Sequence, residues 1–330
     1  MQKDYDTAHP AWLDDPWLLP TPRVTRTPWE WSTQSTGSVL RDDLLHPWAG
    51  GNKLRKLDGL WPRKVLPHIT DVVTCGGVQS AHCVAVGALA AQHGKRAHLL
   101  VRGELPQRPT GHAALSALFG TLYPQARDTY AHRQQMFEQF LRDQPLDPSR
   151  TVVIPEGADC DEAMLGMIRL VGALAETLPA RTRLVIDSGT GTSAAGLCLG
   201  VELFELPWRV ESVCLLKGKE DSLHEHVLHR LDSFRRAHCM LAPSALPLTW
   251  HPRRRPRRFG TFYEEDVRAC VRVTRQTGIV LDPIYTLGAW NHCEDTEFDG
   301  HTCLIHTGGG LNVLGAWDRK PLWYANAVSE

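Results

Sequence analysis

The chain has 330 residues, of which 42% are hydrophobic and 22% charged, and its formal net charge is -1 at pH 7. This composition is ordinary for a folded protein of about two domains. A net charge so close to zero gives no overall electrostatic attraction to nucleic acid or to an anionic membrane. The nine cysteines are scattered without a Cys-x-x-Cys pair, which argues against a disulfide framework or a zinc ribbon and favours a reducing compartment.

The first residues are polar and lack the apolar core of a signal peptide. No apolar run in the sequence is long enough to cross a bilayer. We therefore expect a cytoplasmic protein whose partners include neither a membrane nor a nucleic acid. Residues 1–35 are rich in proline and tryptophan without a helical period, which predicts an arm that lies across the body.

From residue 38 onward, the pattern alternates between strand and helix. The predicted strands cover residues 38–45, 71–75, 95–102, 150–155, 184–186, 210–216 and 302–306. The predicted helices cover residues 53–61, 79–92, 111–119, 130–143, 161–178, a segment from 194, 221–238 and 264–276. This alternation predicts an α/β protein with parallel-rich sheets flanked by helices, in which ligands gather at the carboxyl ends of strands.

A lysine follows two glycines and an asparagine in Gly50-Gly51-Asn52-Lys53. Glycines let the backbone approach a ligand, and a lysine amine forms Schiff bases with carbonyl cofactors. The plain alternative is a loop followed by the start of a basic helix.

A second glycine turn, residues 188–193, joins a predicted strand to a predicted helix and is rich in hydroxyls. Backbone amides at such a helix start bind anions, and a phosphate fits. Gly189-x-Gly191-x-x-Ala194 also matches part of a dinucleotide fingerprint, but no acidic residue ends the next strand. An ordinary strand-to-helix turn is the remaining alternative.

Other segments allow two interpretations each. Ser80 is either a helix cap or, with nearby amides, a binding group for a substrate carboxylate, and His82 is either a core or a catalytic histidine. Tyr285 follows a turn that contains a proline. It is either a buried tyrosine with a structural role or a residue of the active site. The basic run at 253–258 is expected to be a solvated loop. Of His224, His226 and His229, only His226 and His229 could share a helix face, and no cysteine or third ligand lies nearby, so we predict no metal.

Several of these segments together resemble one family. The motifs that carry the resemblance are Arg41-Asp42-Asp43, residues 50–57, residues 76–82, Pro155-Glu156-Gly157, residues 189–193, residues 281–286 and residues 306–309. In this order they are similar to fold-type II pyridoxal-phosphate enzymes, specifically the group of 1-aminocyclopropane-1-carboxylate deaminase and D-cysteine desulfhydrase. The resemblance implies a homodimer with a tryptophan synthase β-like fold. It also implies a large cofactor domain of residues 1–55 and 180–330, with residues 56–179 inserted as a small domain.

The resemblance also implies roles for residues. Lys53 would form the Schiff base with pyridoxal 5'-phosphate and move protons at the substrate Cα, assisted by the catalytic residues Tyr285 and Ser80. The other implied cofactor-binding residues are Asn52, Gly189, Thr190, Gly191, Thr192, Ser193 and Thr307. The implied substrate-binding residues are Ser80, Ala81, His82 and Thr286.

Two positions favour one branch of the family. The deaminases have Glu after the tyrosine and Leu after the last histidine, whereas this chain has Thr286 and Thr307, as the desulfhydrases have Ser or Thr. We therefore predict a lyase that eliminates sulfide from a small amino acid such as D-cysteine. Ala81 and Phe262 replace an asparagine and a tyrosine of the family, although Tyr263 is adjacent to Phe262.

Those two replacements keep other functions open. One alternative is cyclopropane ring opening, or elimination or replacement on another amino acid in specialised metabolism. A second is a cofactor-binding protein without catalysis. A nicotinamide dehydrogenase is the fallback, and a hydride-transfer assay would test it.

Overall fold

The computed structural model describes residues 16–32, 35–240, 242 and 245–329. The strands are β1 Arg26–Ser32, β2 Ser35–Leu40, β3 Asp71–Gly77, β4 Arg96–Arg102, β5 Thr121–Gln125, β6 Thr151–Ile154, β7 Thr182–Ser188, β8 Arg209–Cys214, β9 Leu248–Pro252 and β10 His301–Ile305. The helices are α1 Asn52–Lys64, α2 Ala81–Gln92, α3 Gly111–Phe119, α4 Arg127–Ala131, α5 Arg133–Asp143, α6 Asp161–Ala175, α7 Thr192–Leu203, α8 Glu220–Ala237, α9 Glu264–Thr277, α10 Thr286–Asp295, α11 Gly310–Arg319 and α12 Pro321–Ser329.

The strands form two sheets. One has six strands in the order β1-β2-β10-β7-β8-β9, and the other has four in the order β5-β4-β3-β6. β1 pairs antiparallel with β2, and the other pairs are parallel. The four-stranded sheet comes from residues between 71 and 154, and the six-stranded sheet from segments on either side of them. The domain boundaries predicted from the sequence are not tested by this arrangement and stay a prediction.

Helix α6 packs against both α1 and α7. These two helices begin at the two glycine turns predicted from the sequence, residues 50–53 (the lysine turn) and residues 188–193 (the phosphate turn). Glycines make this close approach possible. A Cβ at Gly166 would lie 1.8 Å from the carbonyl oxygen of Arg55, and one at Gly196 would lie 2.6 Å from Cβ of Met167. The apolar side of α6, including Met164 and Ile168, is fully buried against α7 and the six-stranded sheet. Burial of each such side chain stabilises the fold by roughly 1.5–3 kcal/mol.

The sequence pattern misses three strands, and they share a physical reason. β1, β5 and β9 are edge strands of their sheets, and each contains a proline (Pro28, Pro124 and Pro252). Proline cannot donate to a sheet ladder and is therefore confined largely to edges. The predicted N-terminal arm accordingly contains a strand, and the pattern also misses α10, α11 and α12.

Within the described residues, no helix is both long and apolar enough to cross a membrane.

Candidate active site

Two glycine-containing turns are in contact at the start of α1, namely the turn that precedes this helix and the turn that follows β10. Gly51 has a φ of +85°, and a Cβ there would lie 2.0 Å from the carbonyl oxygen of Thr307. The backbone N–H of Asn52 donates to that same oxygen at 3.2 Å. The first residues of α1 are therefore held against the turn that follows β10, as only glycine at position 51 allows.

Asn52 also joins α1 to the turn before α7. Its Nδ2 donates to Oγ of Ser193 at 3.1 Å, and both side chains are buried. Gly191 caps α7 in the left-handed conformation. A Cβ built on Gly189 meets no described atom within 4 Å, so the backbone there faces open space. The unpaired amides of the first turn of α7 therefore border a cradle suited to an anion.

Lys53 is half-buried beside this cradle, one residue after Asn52. Burial lowers the pKa of its amine, although the charges of Asp187 and Glu156 oppose the shift. A lysine with a lowered pKa carries more of the neutral amine, which is the nucleophilic form.

Asp187, to which the sequence analysis assigned no role, lies in this group. Thr307 Oγ1 donates to Asp187 Oδ1 at 2.5 Å, and both residues are buried. Burial raises the pKa of Asp187 to about 6. The available signal was its position at the carboxyl end of a parallel strand, immediately before the phosphate turn.

Lys56 is a second residue that the sequence analysis left without a role. Its buried Nζ donates to the carbonyl of Gly157 at 2.8 Å and lies 3.5 Å from Oγ1 of Thr190. Burial, followed by the charge of Lys53, lowers its pKa well below the ordinary value. It lies three residues after Lys53, on the same helix face, and that spacing was the missed signal.

The remaining hydroxyls of the turn form a chain. Oγ1 of Thr190 and Oγ1 of Thr192 are 2.9 Å apart, and Thr192 donates to Asp159 at 2.7 Å. The side-chain hydroxyl of Thr192 is therefore already hydrogen-bonded to Thr190 and Asp159. Its contribution to an anion would come through the backbone.

Ser80 caps α2. Its Oγ accepts from the backbone N–H of Cys83 at 3.3 Å, which is the structural interpretation considered above. Ala81 is the first residue of α2, and His82 is buried with Nε2 2.9 Å from Thr74 Oγ1. Because that hydroxyl donates to the carbonyl of Ile154, His82 Nε2 is the donor. Contacts of Ser80, Ala81 and His82 with a substrate stay predictions.

The segment before α10 is built on Asp282. Its carboxylate accepts from the backbone N–H groups of Ile284, Tyr285 and Thr286, and from the Thr286 hydroxyl at 3.1 Å. A Cβ on Gly309 would lie 2.6 Å from Asp282 Oδ2, so this segment packs against the turn after β10. Tyr285 is half-buried, and burial raises its pKa.

Phe262 packs into an apolar cluster with Ile284 and Tyr324, and Tyr285 lies against that cluster. Tyr263 is largely exposed, with the Arg257 guanidinium over its ring. The Tyr324 hydroxyl is buried without a hydrogen-bond partner among the described residues.

Two of the three histidines of α8 bond to protein groups. His224 Nδ1 accepts from Trp250 at 3.0 Å, and His226 bonds Asp159 at 3.0 Å.

Elsewhere, Glu211, His251 and His292 bring three potential metal-ligand atoms within 4.8 Å of one another. Arg183 and Arg209 already bond the carboxylate of Glu211, at 3.2 and 2.9 Å, and they would compete with a cation. The absence of a metal stays a prediction.

The donor set fits a phosphorylated aldehyde such as pyridoxal phosphate. The open cradle at Gly189 and the start of α7 suit the phosphate. A half-buried amine with a lowered pKa lies beside it at Lys53. The Thr307 hydroxyl and the Asp187 carboxyl, which are hydrogen-bonded to each other, offer a polar partner to such a ligand. Asn52 also contacts Thr307, through its backbone N–H.

Comparison with known proteins gives a consistent result. No family model matches the chain. A protein of Oryza sativa subsp. japonica with the provisional name D-cysteine desulfhydrase 2, mitochondrial, is 38% identical over 85% of this chain and 79% of its own. A Pyrococcus horikoshii protein with the provisional name 1-aminocyclopropane-1-carboxylate deaminase is 27% identical over 88% and 93%.

Solved structures agree on the fold. A crystal structure of an ACC deaminase homologue superposes with a TM-score of 0.74 at 24% identity, covering 94% of this chain and 97% of that one. A tomato (Solanum lycopersicum) threonine deaminase isoform 2 superposes with a TM-score of 0.56 at 16% identity, over 83% and 75%.

Proposed function

The chain belongs to the family of D-cysteine desulfhydrases and 1-aminocyclopropane-1-carboxylate deaminases, and on this basis we propose that it binds pyridoxal phosphate and eliminates sulfide from D-cysteine. The predicted family, the lyase class and the α/β fold of fold type II are confirmed by the relatives and by the structural match. The substrate, the cofactor contacts and the roles of individual residues are our proposals.

When bound to a lysine, pyridoxal phosphate supplies an electron sink for bonds at the substrate Cα. Lys53, whose amine has a lowered pKa because it is buried, removes the proton from Cα. The amides at the start of α7, with Thr190 and Ser193, hold the phosphate. Asn52 fixes Ser193 through its hydrogen bond of 3.1 Å.

The substrate carboxylate lies at the start of α2, where the Ser80 hydroxyl and unpaired backbone amides are available. Tyr285 would exchange a proton with the departing sulfur, and the packing of its segment against the turn that carries Thr307 supports this role. The reaction balances as D-cysteine plus water giving pyruvate, ammonia and hydrogen sulfide. The Cβ–S bond and the Cα–H bond break, and water later replaces the amine nitrogen.

The observation that carries this proposal is the position of Lys53. It follows Asn52, which bonds both the phosphate turn and the turn after β10. The test is the visible absorption band of lysine-bound pyridoxal phosphate in the purified protein. We expect Lys53→Ala to lose the band and at least about a hundredfold of turnover, while Lys64→Ala, an exposed lysine on the same helix, retains both. A band that survives in Lys53→Ala would refute the assignment.

A second candidate, 1-aminocyclopropane-1-carboxylate deamination, is supported by the Pyrococcus horikoshii relative. Thr286 and Thr307 favour the desulfhydrase branch over it. A panel of amino acids assayed for pyruvate, 2-oxobutyrate, sulfide and ammonia separates them. Sulfide and pyruvate from D-cysteine support the first proposal, and 2-oxobutyrate from the cyclopropane substrate supports the second.

Three expectations from the sequence also stay proposals. They are a homodimer, a cytoplasmic location, and a small domain of residues 56–179 within a large domain of residues 1–55 and 180–330. The domain proposal is supported by the restriction of the four-stranded sheet to residues 71–154. Light scattering of the purified protein would test the dimer.

A further inference from the structure

The basic run at 253–258 is only in part the solvated loop that the sequence predicted, because residues 254–256 and 258 are exposed while Arg253 and Arg257 are buried. Arg253 and Arg257 are each only 5% exposed. They line a cavity of about 190 Å³ between this run, α9 and α10. Its lining residues are Arg253, Arg254, Arg255, Arg257, Glu265, Asp266, Ala269, Arg272, Gly288 and Asn291. The prediction fails for these two arginines because each bonds to groups of the folded chain, Arg253 to two backbone carbonyls and Arg257 to Asp266.

The walls of this arginine cavity contain hydrogen-bonding atoms that the protein does not satisfy. Among the described residues, Nε of Arg253, Nε of Arg257 and Oδ1 of Asn291 are buried without a hydrogen-bond partner. A buried polar atom left without a partner costs about 1–3 kcal/mol. The two Nε groups are hydrogen-bond donors, whereas Oδ1 of Asn291 is an acceptor. Two unpaired donors in the wall of one cavity indicate a ligand that accepts hydrogen bonds.

The ion pairs of the cavity do not include all of its arginines. Three of its five arginines have carboxylate partners: Arg254 pairs with Asp295, Arg255 with Glu265 at 3.0 Å, and Arg257 with Asp266. Arg253 and Arg272 have no carboxylate partner among the described residues. Two of the five guanidinium groups therefore make no ion pair, although the carboxylates of Asp282 and Asp187 attract Arg253 without contacting it. Burial and then the charge of Arg257 lower the pKa of Arg253 to about 10.

Arg253 connects the cavity to the candidate active site. Its Nη1 donates to the carbonyl of Ile284 at 2.7 Å, and its Nη2 to the carbonyl of Pro283 at 2.9 Å. These carbonyls immediately precede Tyr285 and Thr286. An anion bound to Nε of Arg253 would therefore contact the same guanidinium group that holds the segment before Tyr285.

We propose that the arginine cavity binds a compact phosphate dianion, either inorganic phosphate or the phosphate group of a small metabolite, and that Arg253 couples its occupancy to the Tyr285 segment. Guanidinium groups recognise phosphate geometry. The cavity is smaller than the roughly 300–1,000 Å³ typical of drug-sized ligands, which excludes a nucleotide. This site is separate from the cofactor phosphate cradle at α7.

The experiment titrates inorganic phosphate into the cofactor-loaded enzyme, whose own phosphate site is filled, by calorimetry at constant ionic strength. Sodium chloride serves as the matched salt, and glycerol 3-phosphate as the phosphomonoester arm. Saturable heat with phosphate and none with chloride is expected. Tighter binding of glycerol 3-phosphate would identify a metabolite as the source, and tighter binding of phosphate the free ion. The absence of saturable binding by either would overturn the proposal.

Two variants test the location. Arg253→Gln removes the central guanidinium, and we expect at least a tenfold loss of phosphate affinity. Gly288→Ala keeps every charge and places a methyl group 3.5 Å from Nε of Arg253. Because alanine favours a helix interior over glycine, this variant is expected to fold and yet lose affinity. Arg236→Gln, which removes an exposed arginine on α8, should bind phosphate as the wild type does.

Wild-type affinity in Gly288→Ala would refute the site even if Arg253→Gln fails to fold. The coupling has its own test, since saturating phosphate should change kcat/KM at least twofold in the wild type and not in Gly288→Ala. Binding without that change would overturn the coupling. A missing cofactor band, in contrast, concerns only the proposed function.

Discussion

The hydroxyl of Thr307 donates to the carboxylate of Asp187 across 2.5 Å, between the turn after β10 and the end of β7. An ionised carboxylate only accepts hydrogen bonds, so Thr307 must be the donor while Asp187 is charged. A lone pair of Thr307 is then left for any ligand beside it. When Asp187 is protonated, the carboxyl can donate and the Thr307 hydrogen is released. The protonation of Asp187 therefore decides whether Thr307 offers a donor or an acceptor.

We predict that Asp187→Asn changes the pH dependence of stability. Burial raises the Asp187 pKa to about 6 from an ordinary 3.8, so its contribution is complete below pH 3.8 and is lost as the pH rises through 6. Between pH 4 and 7, the wild type should lose up to roughly 3 kcal/mol relative to the variant. Urea unfolding of the cofactor-free proteins at several pH values measures this. A difference that does not vary with pH would contradict it.

We predict opposite outcomes for alanine at the two glycines of the phosphate turn. Gly189→Ala adds a methyl group where no described atom lies within 4 Å, so stability should hold while cofactor retention falls. Gly191→Ala forces alanine to a φ of +81° and 2.4 Å from Val227, so stability should fall by at least about 1 kcal/mol. Thermal unfolding and cofactor release in dialysis measure the two effects. Equal behaviour of the two variants would argue against a ligand at Gly189.

The sequence predicted the parts of this site that local chemistry dictates. Gly51, Gly189 and Gly191 marked turns where the backbone must approach another group, and the alternating pattern placed Gly189 and Gly191 at the end of a strand. Asp187 and Lys56 went unassigned because their importance lies in partners distant in sequence, Thr307 and Thr190. A single sequence does not show which distant side chains will meet.

The basic run at 253–258 shows the same limit of prediction from a single sequence. Prolines 252 and 256 are incompatible with a regular basic helix, and residues 253–258 form none. Charge alone then predicted solvent exposure, since lysine and arginine are rarely buried. Arg253 is buried because the carbonyls of Ile284 and Pro283 accept from its Nη1 and Nη2, and those carbonyls reach it only in the folded chain.

We predict that His82 weakens the protein in acid. Burial lowers its pKa to about 3 from 6.5, so its contribution is present above pH 6.5 and is lost as the pH falls towards 3. The wild type should lose about 1.4 kcal/mol per pH unit below 6.5 from this residue. His82→Asn should show a shallower decline in urea unfolding between pH 7 and 5. His68→Asn, at an exposed histidine, is the control and should decline as the wild type does.

Thr286 is predicted to act through Asp282. Its hydroxyl accepts from the Asp282 backbone N–H at 2.8 Å and donates to the Asp282 carboxylate at 3.1 Å, and Asp282 is fully buried. Thr286→Val keeps the shape but leaves a buried N–H unpaired, which costs about 1–3 kcal/mol. Thr286→Ser keeps the hydroxyl and should retain most of the stability.

Chemical unfolding measures that difference, and steady-state kinetics separates it from a substrate contact. If the hydroxyl also touches substrate, Thr286→Val raises KM while Thr286→Ser does not. If it only holds Asp282, kcat falls with stability because the Tyr285 segment loosens, and KM changes little. Equal stability of the valine and serine variants would show that the Asp282 pairing does not hold this segment.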